Sequence, residues 1–183
     1  MPPGDRTIAG QRDPRDSTVS SLPRPRHCAG CGRPDPWEEE GEGRLRCRAC
    51  GFVVWSNPVP VAIAVQPVMG GILLVRRAAG PGQGLWALPG GYVNAHEDPK
   101  DAAVRELREE TAVEAQNPEL IAVVGGLSDN TVLIAYRMDP LPAMPETAAS
   151  AEVLEVRVFR LDELPLLAFS AHESLLGVAF PDP

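Results

Sequence analysis

No stretch of this chain offers the roughly 20 uninterrupted apolar residues that a bilayer span requires. The longest apolar region, about Val59 to Val75, is broken by Pro60, Gln66, Pro67 and the pair Gly70-Gly71. No secretory leader is expected, because the first 26 residues mix Arg, Asp, Ser and Pro without an apolar stretch, and Asp5, Asp13 and Asp16 count against an organelle transit peptide, a class poor in acidic residues. No membrane association and a cytoplasmic location are therefore expected. A basic surface is lacking too. The net charge is -8, and residues 1–26 hold five Arg and three Asp, so the remainder carries -10. Phosphate backbones repel a folded part that acidic, which argues against general nucleic-acid binding. No internal repeat and no unpaired cysteine are found.

What is present divides into three parts. Residues 1–26 contain five Pro among small and charged residues, with no hydrophobic period, and read as a disordered tail. Residues 27–56 form a small unit defined by cysteines. From residue 57 to 183, strand and helix signals mix. Segments 59–66, 72–77, 119–126, 131–138 and 152–159 are rich in branched residues and read as strands, while 78–84 (AAGPGQG) reads as a loop. A helix is predicted over 99–111, capped by Asp98 with Pro99 at its first position. Ser170 and Glu173 have capping-box spacing and predict a last helix reaching about Val178. Strands alternating with two helices predict an α/β sandwich on a mixed sheet.

All the cysteines fall in two pairs, Cys28-Ala-Gly-Cys31 and Cys47-Arg-Ala-Cys50, each followed by Gly. A two-residue gap lets both thiolates of a pair reach one ion, and two such knuckles make a closed tetrahedral zinc site. A disulfide framework needs an oxidising compartment that nothing here indicates. A redox pair belongs at a strand-to-helix junction, which neither pair occupies. Between His27 and Asn57 there are four Arg against five acidic residues, including the run Glu38-Glu39-Glu40. The expected role of this unit is therefore stability, since so small a piece cannot close a core unaided.

The segment 88–113 carries the chemistry. Glu106, Glu109 and Glu110 lie at i, i+3 and i+4 and share one helix face. Uncompensated carboxylates so placed repel each other, and a divalent ion reverses the sign; a solvated face paired through Arg105 and Arg108 is the alternative. The surroundings favour the ion. The segment resembles the Nudix box, G-x5-E-x7-R-E-U-x-E-E-x-G-U with U a bulky aliphatic: Gly91, Glu97, Arg105, Glu106, Leu107, Glu109, Glu110 and Val113 match, and Ala112 replaces a Gly.

That resemblance implies a Nudix-type α/β/α sandwich preceded by a zinc ribbon. It implies Mg²⁺ (or Mn²⁺) held by Glu106, Glu109, Glu110 and the Gly90 carbonyl, with Glu97 and Arg105 pairing behind Glu106. The implied reaction is attack of water on a pyrophosphate bond, with Glu109 or a later acid as base; Glu152 is the first candidate and Glu155 the second. Family members are often homodimers.

A ribbon directly before the domain is an arrangement seen in two branches of the family. The NADH pyrophosphatase motif SQPWPFP-x-S is absent after Val113, whereas LDELP (161–165) and LAFS (167–170) resemble the tail of plant-type FAD pyrophosphatases. The expected substrate is thus a dinucleotide coenzyme such as FAD, or ADP-ribose, cleaved to AMP and a phosphate ester. Arg77, Trp86 and Phe169 are candidate substrate contacts; packing and surface solvation are their ordinary roles. Two alternatives stand beside this reading: a catalytically silent ligand sensor, and an NADH or NAD-cap pyrophosphatase.

Overall fold

The computed structural model describes residues 24–41, 43–125, 130–147 and 150–181. Of the stretch expected to be a disordered tail, residues 1–23 lie outside the described residues. Arg24–Arg26 run along the cysteine unit: Trp37 Nε1 donates to the Pro25 carbonyl at 2.6 Å, and the Asp35 amide donates to the Arg26 carbonyl at 2.9 Å. The cysteine unit itself is a small antiparallel sheet of β1 (Trp37–Glu39), β2 (Arg44–Cys47) and β3 (Val53–Trp55), in that order. Its buried core is only Cys28, Trp37, Leu45 and Cys47.

The larger part begins with β4 (Val59–Val65), β5 (Pro67–Val68) and β6 (Gly71–Arg77), followed by the short strands β7 (Trp86–Ala87) and β8 (Gly90–Tyr92). Helix α1 (Pro99–Thr111) leads to β9 (Glu119–Val124), β10 (Thr131–Arg137) and β11 (Val153–Phe159). A single 3₁₀ turn, Leu161–Glu163, precedes α2 (Ser170–Ala179). One sheet has the order β8-β4-β10-β9, with β10 parallel to β4 and the other pairs antiparallel. The second has the order β11-β6-β5, with β7 also on β6. This is the mixed α/β arrangement expected.

Strand alternation explains how two helices flank the strands. On β4, Ala62 and Ala64 join the cluster containing Ala102, Ala103 and Leu107 of α1. The intervening Ile63 and Val65 join Leu175, Leu176 and Ala179 of α2. Leu73 of β6 and Tyr136 of β10 repeat the first orientation, while Ile72, Leu74, Leu133 and Ala135 repeat the second. Strands buried on both faces read as continuous apolar runs, as 59–65 and 71–75 do. Alanine on both α1 and β4 lets helix and strand approach closely, which brings the acidic face of α1 near the sheet edge.

Helix α1 starts as predicted: the Asp98 carboxylate accepts from the Lys100 amide at 2.8 Å, with Pro99 next. Its exit is also defined, although a glycine is absent there. Ala112 takes the left-handed conformation (φ 63°, ψ 10°) and its amide donates to the Arg108 carbonyl at 2.8 Å. The fully buried Thr111 supports the turn, its hydroxyl donating to the Leu107 carbonyl and accepting the Val113 amide. Helix α2 differs from expectation at its start. Ser170 lies inside the helix and Phe169 occupies the capping position, with no side-chain cap. The backbone around Leu167 is drawn into pairing with Trp86, which places the helix entry one residue earlier than the capping-box spacing requires.

Candidate active site

Arg105 organises the acidic face of α1. Its guanidinium meets Glu97 with two parallel hydrogen bonds, at 2.7 and 3.0 Å, and reaches Glu106 at 2.7 Å and Glu109 at 3.1 Å. The Arg105 contacts, reinforced by the Asn94 amide, hold the Glu97 carboxyl down at about 2, and Arg105 is raised in turn. The expected pairing behind Glu106 is thus present. Glu110 turns the other way: it is buried, and its carboxylate accepts the Gly90 amide at 3.0 Å. The three carboxylates share a helix face, but Glu106 and Glu109 lean to Arg105 while Glu110 faces the β8 strand.

Burial pushes the Glu110 carboxyl up to about 8, against the pull of the Gly90 amide and with Glu106 and Glu152 adding repulsion. Glu106 is raised as well, by burial first, then by the charges of Glu109 and Glu152. A group of acids that resists ionising on its own is stabilised by a hard divalent cation, and carboxylate oxygens are the donors Mg²⁺ or Mn²⁺ takes. The donor chemistry suits such an ion, although Glu106 and Glu109 are drawn to Arg105 and the three carboxylates do not converge on one point.

Crowding against backbone requires glycine at Gly90, while Gly91 leaves room for the Glu106 carboxylate. A Cβ on Gly91 would lie 2.4 Å from a Glu106 carboxylate oxygen, and one on Gly90 would lie 2.4 Å from the Ala62 carbonyl. The loop entering β8 is fixed on either side of Pro89. The Pro89 carbonyl accepts the Ala64 amide at 2.9 Å, and the Leu88 amide donates to His172 Nδ1 at 3.1 Å.

Next to Glu110 opens a cleft of about 270 Å³, whose walls include Arg77, Ala79, Gly80, Glu152 and Val153. Glu152 sits one residue before β11, in the turn, and its carbonyl accepts the Ala78 amide at 2.9 Å; it does not begin the strand as expected. Glu155 pairs with Arg157 and Arg76 and is not part of this cleft. Arg77 donates to the Pro81 carbonyl at 2.8 Å and lies 5.2 Å over the Phe169 ring. Trp86 packs edge-on against Phe159, with ring centroids 4.7 Å apart, and joins the margin of the core. So Glu110, Glu152 and Arg77 come together, Phe169 backs Arg77, and Trp86 serves as packing.

In the small sheet, the ligand atoms of Cys28, Cys31, Cys47 and Cys50 all lie within 4.8 Å of one another, the only such metal-compatible group among the described residues. The Cys28–Cys50 and Cys31–Cys47 sulfur separations are 3.6 and 3.8 Å. Tetrahedral zinc with Zn–S bonds of about 2.3 Å places sulfurs about 3.8 Å apart, so the cluster fits that ion. Burial raises Cys47, but the amides of Cys50 and Ala49 and the adjoining thiols outweigh it and leave that thiol at about 7.

The NUDIX domain pattern matches residues 57–176. The chain belongs to the Nudix family. It is 29% identical over 146 residues to the NAD-capped RNA hydrolase NudC of Stutzerimonas stutzeri, covering 78% of this chain and 50% of that protein. It is 33% identical over 109 residues to an ADP-ribose pyrophosphatase of Methanocaldococcus jannaschii, covering 57% and 63% respectively. The chain thus spans about half the length of the first relative and under two thirds of the second. The crystal structure of a Nudix hydrolase from Nitrosomonas europaea superposes with a TM-score of 0.71 at 28% identity, covering 82% of this chain and 88% of that one.

One buried residue that bonds the loop entering β8 is invisible to motif reading. His172 lies on the buried face of α2, and burial, with the nearby Arg77 charge, lowers its imidazole to about 3, so the ring is neutral. The only sequence signal is a lone histidine among Leu175, Leu176 and Ala179, and core histidines in that setting are common. Among the described residues, no helix is long and apolar enough to cross a membrane.

Proposed function

We propose that this Nudix protein hydrolyses the pyrophosphate bond of a nucleoside diphosphate derivative bearing an adenosine half, with FAD or ADP-ribose as the substrates and AMP as one product. The observation that carries the proposal is the cleft where buried Glu110, Glu152 and Arg77 meet. Glu106, Glu109, Glu110 and the Gly90 carbonyl are the groups that would hold Mg²⁺ or Mn²⁺. When bound, such an ion neutralises the diphosphate oxygens and acidifies water at the reacting phosphorus.

The chain's own residues do the rest. Arg105 restrains Glu106 and Glu109, and Arg77 adds positive charge to the cleft wall. Glu152 takes the proton from the attacking water, with Glu109 as the second candidate. The new P–O bond forms in line with the breaking bridge, and the departing phosphate ester carries away the bridging oxygen.

The names of the two relatives support this substrate class, because an NAD cap and ADP-ribose both contain an adenosine diphosphate unit. NudC also favours a second reading, hydrolysis of an NAD-type end on RNA. The acidic surface, net -10 outside residues 1–26, weighs against it. A ribbon that holds zinc on four thiolates would suit a reducing compartment such as the cytoplasm. The exposed Leu120 and Val123 on edge strand β9 support a homodimer, which light scattering would check.

The test is a panel of FAD, NADH, ADP-ribose, coenzyme A, nucleoside triphosphates and NAD-capped RNA with Mg²⁺, products being identified by mass. AMP released from FAD or ADP-ribose is expected, with Glu109→Gln inactive. Preferred turnover of triphosphates or capped RNA overturns the substrate assignment. Ligand binding with no turnover of any of them points to a silent sensor.

A further inference from the structure

We propose that His172 is a positioning residue for the loop that carries Gly90 and Gly91, and that it acts by holding the Leu88 amide from α2. The inference rests on the active-site reading above and extends it to a residue outside the Nudix box.

Three consecutive residues of the loop are tied to three different elements. The Leu88 amide goes to His172 Nδ1 on α2, at 3.1 Å. The Pro89 carbonyl takes the Ala64 amide of β4, at 2.9 Å. The Gly90 amide goes to Glu110 of α1, at 3.0 Å. Proline has no amide of its own to offer, so Leu88 supplies the last backbone donor before Gly90.

The loop also has no slack. Added Cβ atoms on Gly90 and Gly91 would lie 2.4 Å from the Ala62 carbonyl and from the Glu106 carboxylate. A shift starting at Leu88 therefore reaches both Glu106 and Glu110. Leu88 and His172 are both buried, so no water replaces the acceptor if the imidazole is removed. The same ring lies 5.1 Å from Phe169, on which Arg77 rests. The start of α2 thus braces both the Leu88–Gly90 stretch and, through Phe169, the Arg77 side of the cleft.

The experiment compares His172→Phe, His172→Asn and Leu175→Ala in the full chain. In zinc-loaded protein without Mg²⁺ or Mn²⁺, His172→Phe is expected to speed hydrogen exchange at the Leu88 and Gly90 amides by about tenfold or more, by freeing the loop locally. Its Mn²⁺ dissociation constant should rise about tenfold, the usual scale for a group orienting metal ligands. His172→Asn offers Oδ1 to the same amide and should restore both readings. Leu175→Ala loosens the core that α2 shares with Leu88 but leaves the imidazole in place, and should move both readings less than His172→Phe does.

Unchanged Gly90 exchange in His172→Phe overturns the proposal, as does an equal effect of Leu175→Ala. Should His172→Phe not fold, His172→Asn decides, and loose Gly90 exchange in that folded variant counts against the role. If the wild type binds no Mn²⁺, the active-site reading fails by itself, and the exchange data still test His172.

Discussion

Arg105 grips both oxygens of Glu97, which lies eight residues earlier, at 2.7 and 3.0 Å, and with its remaining nitrogen holds Glu106 at 2.7 Å. The planar fork meets two carboxylates at once, a geometry that a lysine ammonium cannot reproduce. Arg105→Lys is therefore expected to fold normally and to lose about 10- to 100-fold in metal affinity or turnover. Mn²⁺ titration beside circular dichroism checks this, and wild-type affinity in the lysine variant would contradict it.

Glu110 makes the stability of the magnesium-free protein depend on pH. Its folded pKa is raised from 4.5 to about 8, so the folded state holds the proton more tightly, and that stability is lost as pH rises through about 8. His172 works in the opposite direction at lower pH. Its pKa falls from 6.5 to about 3, so its contribution is full above 6.5 and is lost as pH drops. From pH 6.5 to about 8 the Glu110 effect stands clear of His172. In zinc-loaded protein without magnesium, urea unfolding should show stability falling across that window, and Glu110→Gln should flatten the fall. Over the same range, Mg²⁺ affinity of the wild type should rise with pH as the proton is displaced.

Ala112 holds a left-handed backbone at φ 63° that glycine adopts without steric cost. Ala112→Gly should stabilise the fold by about 1 kcal/mol, or about 2–4 °C in melting temperature for a chain of this size. Calorimetry measures it directly. A lower melting temperature would show that the unfolded-chain entropy of glycine outweighs the relieved strain.

The cysteine cluster should hold one zinc per chain, measurable by elemental analysis. Cys47→Ser should lose the ion and with it the order of the small sheet, whose core without the sulfurs is only Trp37 and Leu45. Trp37 fluorescence reports the change, because its ring is buried and its Nε1 is bonded to the Pro25 carbonyl. Retained Trp37 burial after zinc removal would refute a folding role for the metal.

The strands beginning at 59, 119 and 131 and helix α1 were legible because apolar runs and capping residues act locally. Asp98, Pro99 and the i, i+3, i+4 acids need no tertiary information to be read. The strands of the small sheet and the two-residue β7 were not legible, since tertiary pairing and the cysteine cluster hold them in place. Ser170 shows the same limit. Its spacing to Glu173 was right for a cap, but pairing of Leu167 with Trp86 moved the helix start. Within the site, the Nudix box gave the pairing of Arg105 with Glu97, but not the direct contacts of Arg105 with Glu106, Glu109 and the Tyr92 carbonyl. The role of Gly91 became physical only once Glu106 was seen against it, and His172 had no motif to announce it.

The cleft takes one wall, Glu110, from α1, and the rest from the end of β6, from Ala79 and Gly80, from the turn at Glu152 and from the start of β11. The acidic helix and most of the residues that shape the cleft beside it thus come from separate stretches of chain. Changes at Ala79 and Gly80 would therefore reshape the cleft while leaving the carboxylates of the helix and their grip on Arg105 as they are, a separation that lets one be altered without rebuilding the other.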